Sequence, residues 1–217
     1  GTVERLEQAF RLDPSNQRAG KMLERLYRRI EKWEEVARVL ERLADRSEDA
    51  SGRVEAGVRL ARLYRTRIDD SERAARAYQR VLKDVADHGE AMGYLTQLYE
   101  KAERWEDLVT LYQKHLAGAD LSSPERLGDL LQVAMLYWRT LGKPQEADPW
   151  FERIAKLEPA HPLMLNFYRE YLAELGDEAR LITVLQEAQR VLEDGEEKAK
   201  IGAELARLSE GQKNAQK

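Results

Sequence analysis

The chain contains no cysteine, which excludes disulfides and thiolate chemistry. A reducing compartment fits, and the cytoplasm is the expectation, with the periplasm left open. Aromatic residues make up only 7%, with 13 glycines and 6 prolines in 217 positions. That is too few turn formers for a loop-rich β protein. Runs of Val, Ile and Thr are missing, which argues against sheet. No apolar stretch reaches the roughly 18 residues that a membrane-spanning helix needs, so no membrane insertion is expected. Sequence motifs of catalysis are missing as well. There is no nucleophile elbow, no phosphate loop, no dinucleotide fingerprint and no HExxH. The three histidines, His88, His115 and His161, lie far apart at helix junctions or late in a helix. No metal site, no cofactor and no enzymatic activity are therefore expected.

What the chain does have is charge, 35% of its residues, beside 42% hydrophobic ones. So much charge with so few aromatics suits thin helical layers better than one deep core. The net charge of −4 argues against a general nucleic-acid binder. It is unevenly placed: residues 1–80 carry +4 and the remainder −8. The carboxylates sit beside Arg and Lys at helical spacing, as solvated faces and ion pairs require.

A Leu-Tyr pair recurs at Leu26-Tyr27, Leu63-Tyr64, Leu98-Tyr99 and Leu136-Tyr137, with weaker echoes at Tyr171-Leu172 and Leu208-Ser209. The second members are 37, 35, 38, 35 and 37 residues apart. A longer period is superimposed: Tyr27 to Val36 matches Tyr99 to Leu108, 72 residues on. The unit is thus a helix pair, and two kinds of pair alternate. Apolar spacing places helices near 2–12, 15–30, 33–46, 49–67, 70–85, 88–102, 105–117, 123–140, 144–157, 161–175, 178–193 and 196–210. Asp13-Pro14-Ser15, Ser122-Ser123-Pro124 and Asp177 are helix-start signals, and Gly142 and Gly176 are stop signals. Pro149, five residues past Pro144, predicts a late or irregular start for the ninth helix.

These residues resemble the tetratricopeptide family. Leu12-Asp13-Pro14-Ser15-Asn16 and Leu157-Glu158-Pro159-Ala160-His161 are similar to its inter-repeat tail. Leu60-Ala61-Tyr64 with Ala74-Tyr78, and Val133-Ala134-Tyr137 with Ala147-Phe151, follow its pattern of small and aromatic residues. The first and third pairs follow it less well, with Glu24 and Thr96, and then Val36 and Leu108, at the small positions. The fifth has Tyr168-Arg169-Leu172 and keeps Ala188. The resemblance covers the whole chain and is strongest to divergent bacterial arrays. It implies an all-α fold, a right-handed α-α superhelix of about twelve antiparallel helices. The single repeat domain would span 1–217, with pairs at about 15–46, 49–85, 88–117, 123–157 and 161–193. Half-repeats at 2–12 and 196–210 flank them, so a fragment of a longer array is the expectation. Leu6, Leu205 and Leu208 would then pack on one side only, and self-association through the terminal repeats would follow.

By the same resemblance, the first helix of each pair lines a concave groove that binds a partner protein. Register places Arg18, Lys21, Arg25, Arg28, Arg62 and Arg65 in a basic end of that groove. It places Leu131, Met135 and Trp138 in an apolar stretch, Trp138 facing away from the core because Tyr137 faces it. The expected role is a non-enzymatic scaffold gripping an acidic, partly apolar segment. The family's clamp for chaperone tails is broken here, since Arg25, Arg59 and Glu90 replace its Asn and Lys residues. Alternatives are an architectural spacer or self-assembling solenoid, and, as a minor one, an RNA-associated repeat. Trp33 and Trp105, before second helices, read as corner packing.

Overall fold

The computed structural model describes residues 2–215. Among them there are twelve α-helices and no strand. They are α1 (Thr2–Leu12), α2 (Gln17–Arg29), α3 (Trp33–Arg46), α4 (Ala50–Leu63), α5 (Ser71–Asp84), α6 (Gly89–Lys101), α7 (Trp105–Leu116), α8 (Leu127–Met135), α9 (Pro144–Leu157), α10 (Pro162–Leu175), α11 (Glu178–Val191) and α12 (Glu196–Ala215). A 3-10 turn, Pro124–Arg126, leads into α8. Among the described residues no helix is long and apolar enough to cross a membrane.

Local chemistry sets the boundaries. Asn16 Oδ1 accepts from the Ala19 amide at 3.0 Å, Asp70 Oδ1 from Arg73 at 2.8 Å and Asp177 Oδ1 from Arg180 at 3.0 Å. Each capped amide is one that a helix start would leave without a partner. His88 does the same for α6, its Nδ1 lying 3.3 Å from the Ala91 amide. The turn inside every helix pair contains one residue with left-handed backbone: Glu31, Asp69, Glu103, Gly142 and Gly176. Two of the five are glycine, the residue that adopts this conformation without a Cβ penalty.

Packing divides the chain into two compact units, residues 1–115 and 116–217, where the repeat period implies one continuous domain. Within each unit, helices pack against their chain neighbours, so the core is a thin sequence of layers. In the first unit it is built from Leu23, Val36, Leu40, Leu60, Ala61, Ala74, Tyr78 and Leu95. The second pair shows why small residues recur. Ala61 and Ala74 are fully buried, and α4 and α5 approach closely. Gly57 belongs to the same contact: a Cβ there would lie 2.8 Å from Val81 Cγ2. Leu6, Leu205 and Leu208 are half-buried.

The late start expected from Pro149 does not occur. α9 begins at Pro144 and carries Pro149 inside it. The missing N–H falls opposite the carbonyl of Gln145, an exposed residue whose carbonyl water can serve.

Two irregular turns shift the register. α4 continues into a π-helical turn, Tyr64–Ile68, and α8 into another, Leu136–Thr140. A π turn inserts one extra residue, so side chains beyond it are rotated relative to a regular helix.

Candidate protein-binding faces

Burial corrects the reading of Trp138. Its side chain is buried, at 9% exposure, while Tyr137 is only half-buried. The indole meets Phe151 edge-on at 5.7 Å and Phe167 at 5.4 Å, and Phe151 and Phe167 stack at 4.2 Å. Arg139 lies over the indole with its guanidinium carbon 3.4 Å from the ring centre, held there by a bidentate pair with Glu170 at 2.8 and 2.9 Å. Trp138 is therefore part of the aromatic core of the second unit, not an exposed anchor. Leu131 and Met135 are half-buried.

The six basic residues lie in the first unit and fall into two groups. Arg62 and Arg65 are exposed but engaged. Arg62 forms a two-point ion pair with Glu90, Nε to Oε1 at 2.8 Å, and the Tyr78 hydroxyl donates to the same carboxylate at 2.6 Å. These donors hold the Glu90 carboxyl down at about 2. Arg65 sits 5.8 Å from the Tyr94 ring centre.

The α2 group is more open. Arg28 Nε donates to Glu24 at 2.9 Å, and Arg59 of α4 pairs with the other Glu24 oxygen. Lys21 Nζ lies 3.7 Å from Glu55, a weak exposed contact. Arg18, Arg25 and Arg29 are exposed and have no ion-pair partner among the described residues. Arg18 and Arg25 flank Met22, which is 45% exposed, in a hollow of about 440 Å³ completed by Gln17 and Lys21.

Sequence reasoning missed two residues here. Met22 is an exposed apolar residue between the arginines, and its hydrophobicity alone reads as core. Glu24 occupies a small-residue position yet is 2% exposed. The readable signal was charge spacing: Glu24 and Arg59 are 35 residues apart, as are Arg169 and Glu204, which also pair, at 2.8 Å. In each case a polar residue replaces the small one of an odd first helix and reaches the next first helix.

Much of the arginine content serves this inter-repeat stitching. Arg73 Nη atoms bond Glu34 at 2.9 Å, Arg104 bonds Glu72 at 2.9 Å, and Arg180 bonds Asp148 at 2.6 and 2.7 Å. Trp33 is half-buried at the start of α3 with Arg67 stacked over it at 5.0 Å.

The sequence model of the tetratricopeptide repeat family matches residues 21–54 and 91–126. Two stretches of the chain are thus similar to tetratricopeptide repeats. The matched stretches begin on α2 and α6, in the first and third pairs, the two that follow the small-residue pattern less well. Both stretches match although their small positions carry Glu24, Val36, Thr96 and Leu108. No curated protein matches the sequence. Among solved structures, a chain of Naa15/Naa10 bound to HypK-THB is similar with a TM-score of 0.50 at 17% identity, over 94% of this chain and 32% of that one. YrrB, described as a TPR protein with an unusual peptide-binding site, is 12% identical over 93% of this chain and 99% of its own, with a TM-score of 0.40. A MamA structure is 16% identical over 82% and 93%, with a TM-score of 0.42.

Proposed function

We propose that the protein is a non-enzymatic interaction scaffold whose α2 face binds an acidic, partly apolar segment of a partner protein. The observation that carries this reading is the pair Arg18 and Arg25. They are exposed, without an ion-pair partner among the described residues, and placed on either side of exposed Met22. In a chain where many arginines stitch neighbouring repeats, two left without an ion-pair partner on either side of an exposed apolar side chain form a recognition surface. A guanidinium grips a carboxylate with two parallel hydrogen bonds. Met supplies an adaptable apolar contact. Arg28 and Lys21 extend the positive field, with Glu24 and Glu55 partly offsetting it. Arg62 and Arg65 contribute less, because Arg62 is already matched by Glu90.

A photo-crosslinking residue at position 22 tests this. Crosslinks to an acidic partner segment that disappear in the Arg18→Glu, Arg25→Glu variant support the reading. Crosslinks only to a second copy of the chain would favour the self-assembling solenoid instead.

A further inference from the structure

Each odd helix triplet leaves a trough between its two second-type helices, floored by the first-type helix. The three troughs differ in size, and cations line each: Arg11 and Arg42 the first, Lys83 and Lys114 the second, Lys156 and Arg180 the third. Between α1 and α3 the trough is small, about 220 Å³, and its carboxylates are engaged: Tyr27 bonds Glu7, and Arg38 bonds Glu35 at 3.0 Å. Between α9 and α11 it is about 650 Å³, but Arg180 is committed to Asp148 and to Glu152 at 2.9 Å, and Glu187 pairs with Arg190.

The middle trough, between α5 and α7 over α6, is about 580 Å³. That lies in the range of about 300–1,000 Å³ usual for sites that enclose a ligand. Leu82, Met92 and Leu111 give it an apolar wall. Lys83 and Lys114 stand on opposite rims, both exposed and neither with an ion-pair partner among the described residues. The acid in its lining, Asp107, is already bonded by Arg104 Nε at 2.8 Å. Tyr99, in the floor, accepts from Gln79 Nε2 at 2.6 Å and keeps its own hydroxyl proton for an incoming acceptor. The sequence explains the opening. Thr96 and Leu108 stand where the second pair has Ala61 and Ala74.

We infer that this trough is a second docking surface, which takes an acidic segment bearing apolar side chains from a partner protein. Its carboxylates would bridge to Lys83 and Lys114 while its apolar side chains cover Met92 and Leu111. Charge complementarity selects this occupant: two uncommitted cations over an apolar wall, with the lining acid neutralised. The surface belongs to second-type helices and is separate from the α2 face.

The probe is a short fluorescein-labelled peptide alternating glutamate with leucine, titrated by anisotropy into the full chain. Work in the Arg18→Glu, Arg25→Glu background isolates the trough from the α2 face. There, binding should persist, and peptide should protect Lys83 and Lys114 from acetylation as read by mass spectrometry. Adding Lys83→Glu and Lys114→Glu should weaken binding about tenfold, with Lys83→Gln, Lys114→Gln intermediate. Both lysines are exposed, so these variants should fold, which circular dichroism checks. Loss of all binding in the arginine-reversed background would overturn the trough and leave the α2 face standing. So would equal binding of a lysine–leucine peptide in that background, or binding without lysine protection. Binding unaffected by the arginine changes but lost with the lysines would support the trough and count against the α2 face.

Discussion

Trp138→Ala separates the two meanings that its residue type allows. A surface hot spot costs binding and spares stability; a core residue does the reverse. At 9% exposure, with Phe151 and Phe167 edge-on at 5.7 and 5.4 Å, the structure places it in the core. An aromatic side chain buries roughly 150–250 Å², and at ~25 cal/mol per Å² that is worth about 4–6 kcal/mol. Residual structure in the unfolded chain and partial collapse of the cavity reduce this to roughly 3–5 kcal/mol. Loss of the aromatic contacts and of the surface under Arg139 acts in the same direction. The loss should be concentrated in the second unit. Amide hydrogen exchange would read it as lost protection in α8, α9 and α10, with α2 to α5 unchanged. Trp138→Phe, which keeps an aromatic ring against Phe151, should lose less than half as much. A Trp138→Ala protein with wild-type protection across α8 to α10 would refute the placement and return Trp138 to the surface.

Glu90 predicts a pH effect. Its folded value of about 2 lies below the ordinary 4.5, held by Arg62 and Tyr78. It therefore contributes stability above pH 4.5 that is lost as pH falls from 4.5 towards 2. With its side chain a quarter exposed, we discount the full shift to ~2 kcal/mol. Urea titrations of wild type and Glu90→Gln should differ by about that at neutral pH and converge at the acid end; a constant gap would contradict the assignment. Glu31 and Glu103 hold left-handed backbone at φ 54° and 52°. Replacing either with glycine should raise stability by about 0.5–1 kcal/mol, read as a higher urea midpoint, whereas Gly176→Ala should lower it.

Much of this fold was legible in the sequence. Twelve helices follow from apolar spacing, and the turns from Asp, Pro and Gly signals. What escaped was local geometry that spacing does not encode. The π turn at Leu136–Thr140 is one such feature, and within it Trp138 is buried while Tyr137 is half-buried. Pro149 predicted a late or irregular start for α9, yet the carbonyl left without its usual donor belongs to exposed Gln145. On the candidate face, register assigned Arg18, Lys21, Arg25 and Arg28 to a binding groove, and all four are exposed on α2. It did not show which of them carry partners. That depends on carboxylates about 30 to 35 residues away, such as Glu55 for Lys21 and Glu90 for Arg62. Opposite charges at that spacing recur along the chain, and they commit part of its arginine to contacts between repeats.

The most direct measurement of the proposed role is the association rate of an acidic, leucine-containing peptide with the α2 face, followed by stopped flow across ionic strength. It should be done in the Lys83→Glu, Lys114→Glu background so that only that face responds. Screening lengths shrink from about 30 Å at 0.01 M to about 8 Å at 0.15 M, so the rate should fall steeply over that interval. Arg18→Glu, Arg25→Glu should slow association at low salt and flatten the dependence. A rate with the same salt slope in that variant would contradict the claim that these two arginines recognise the partner.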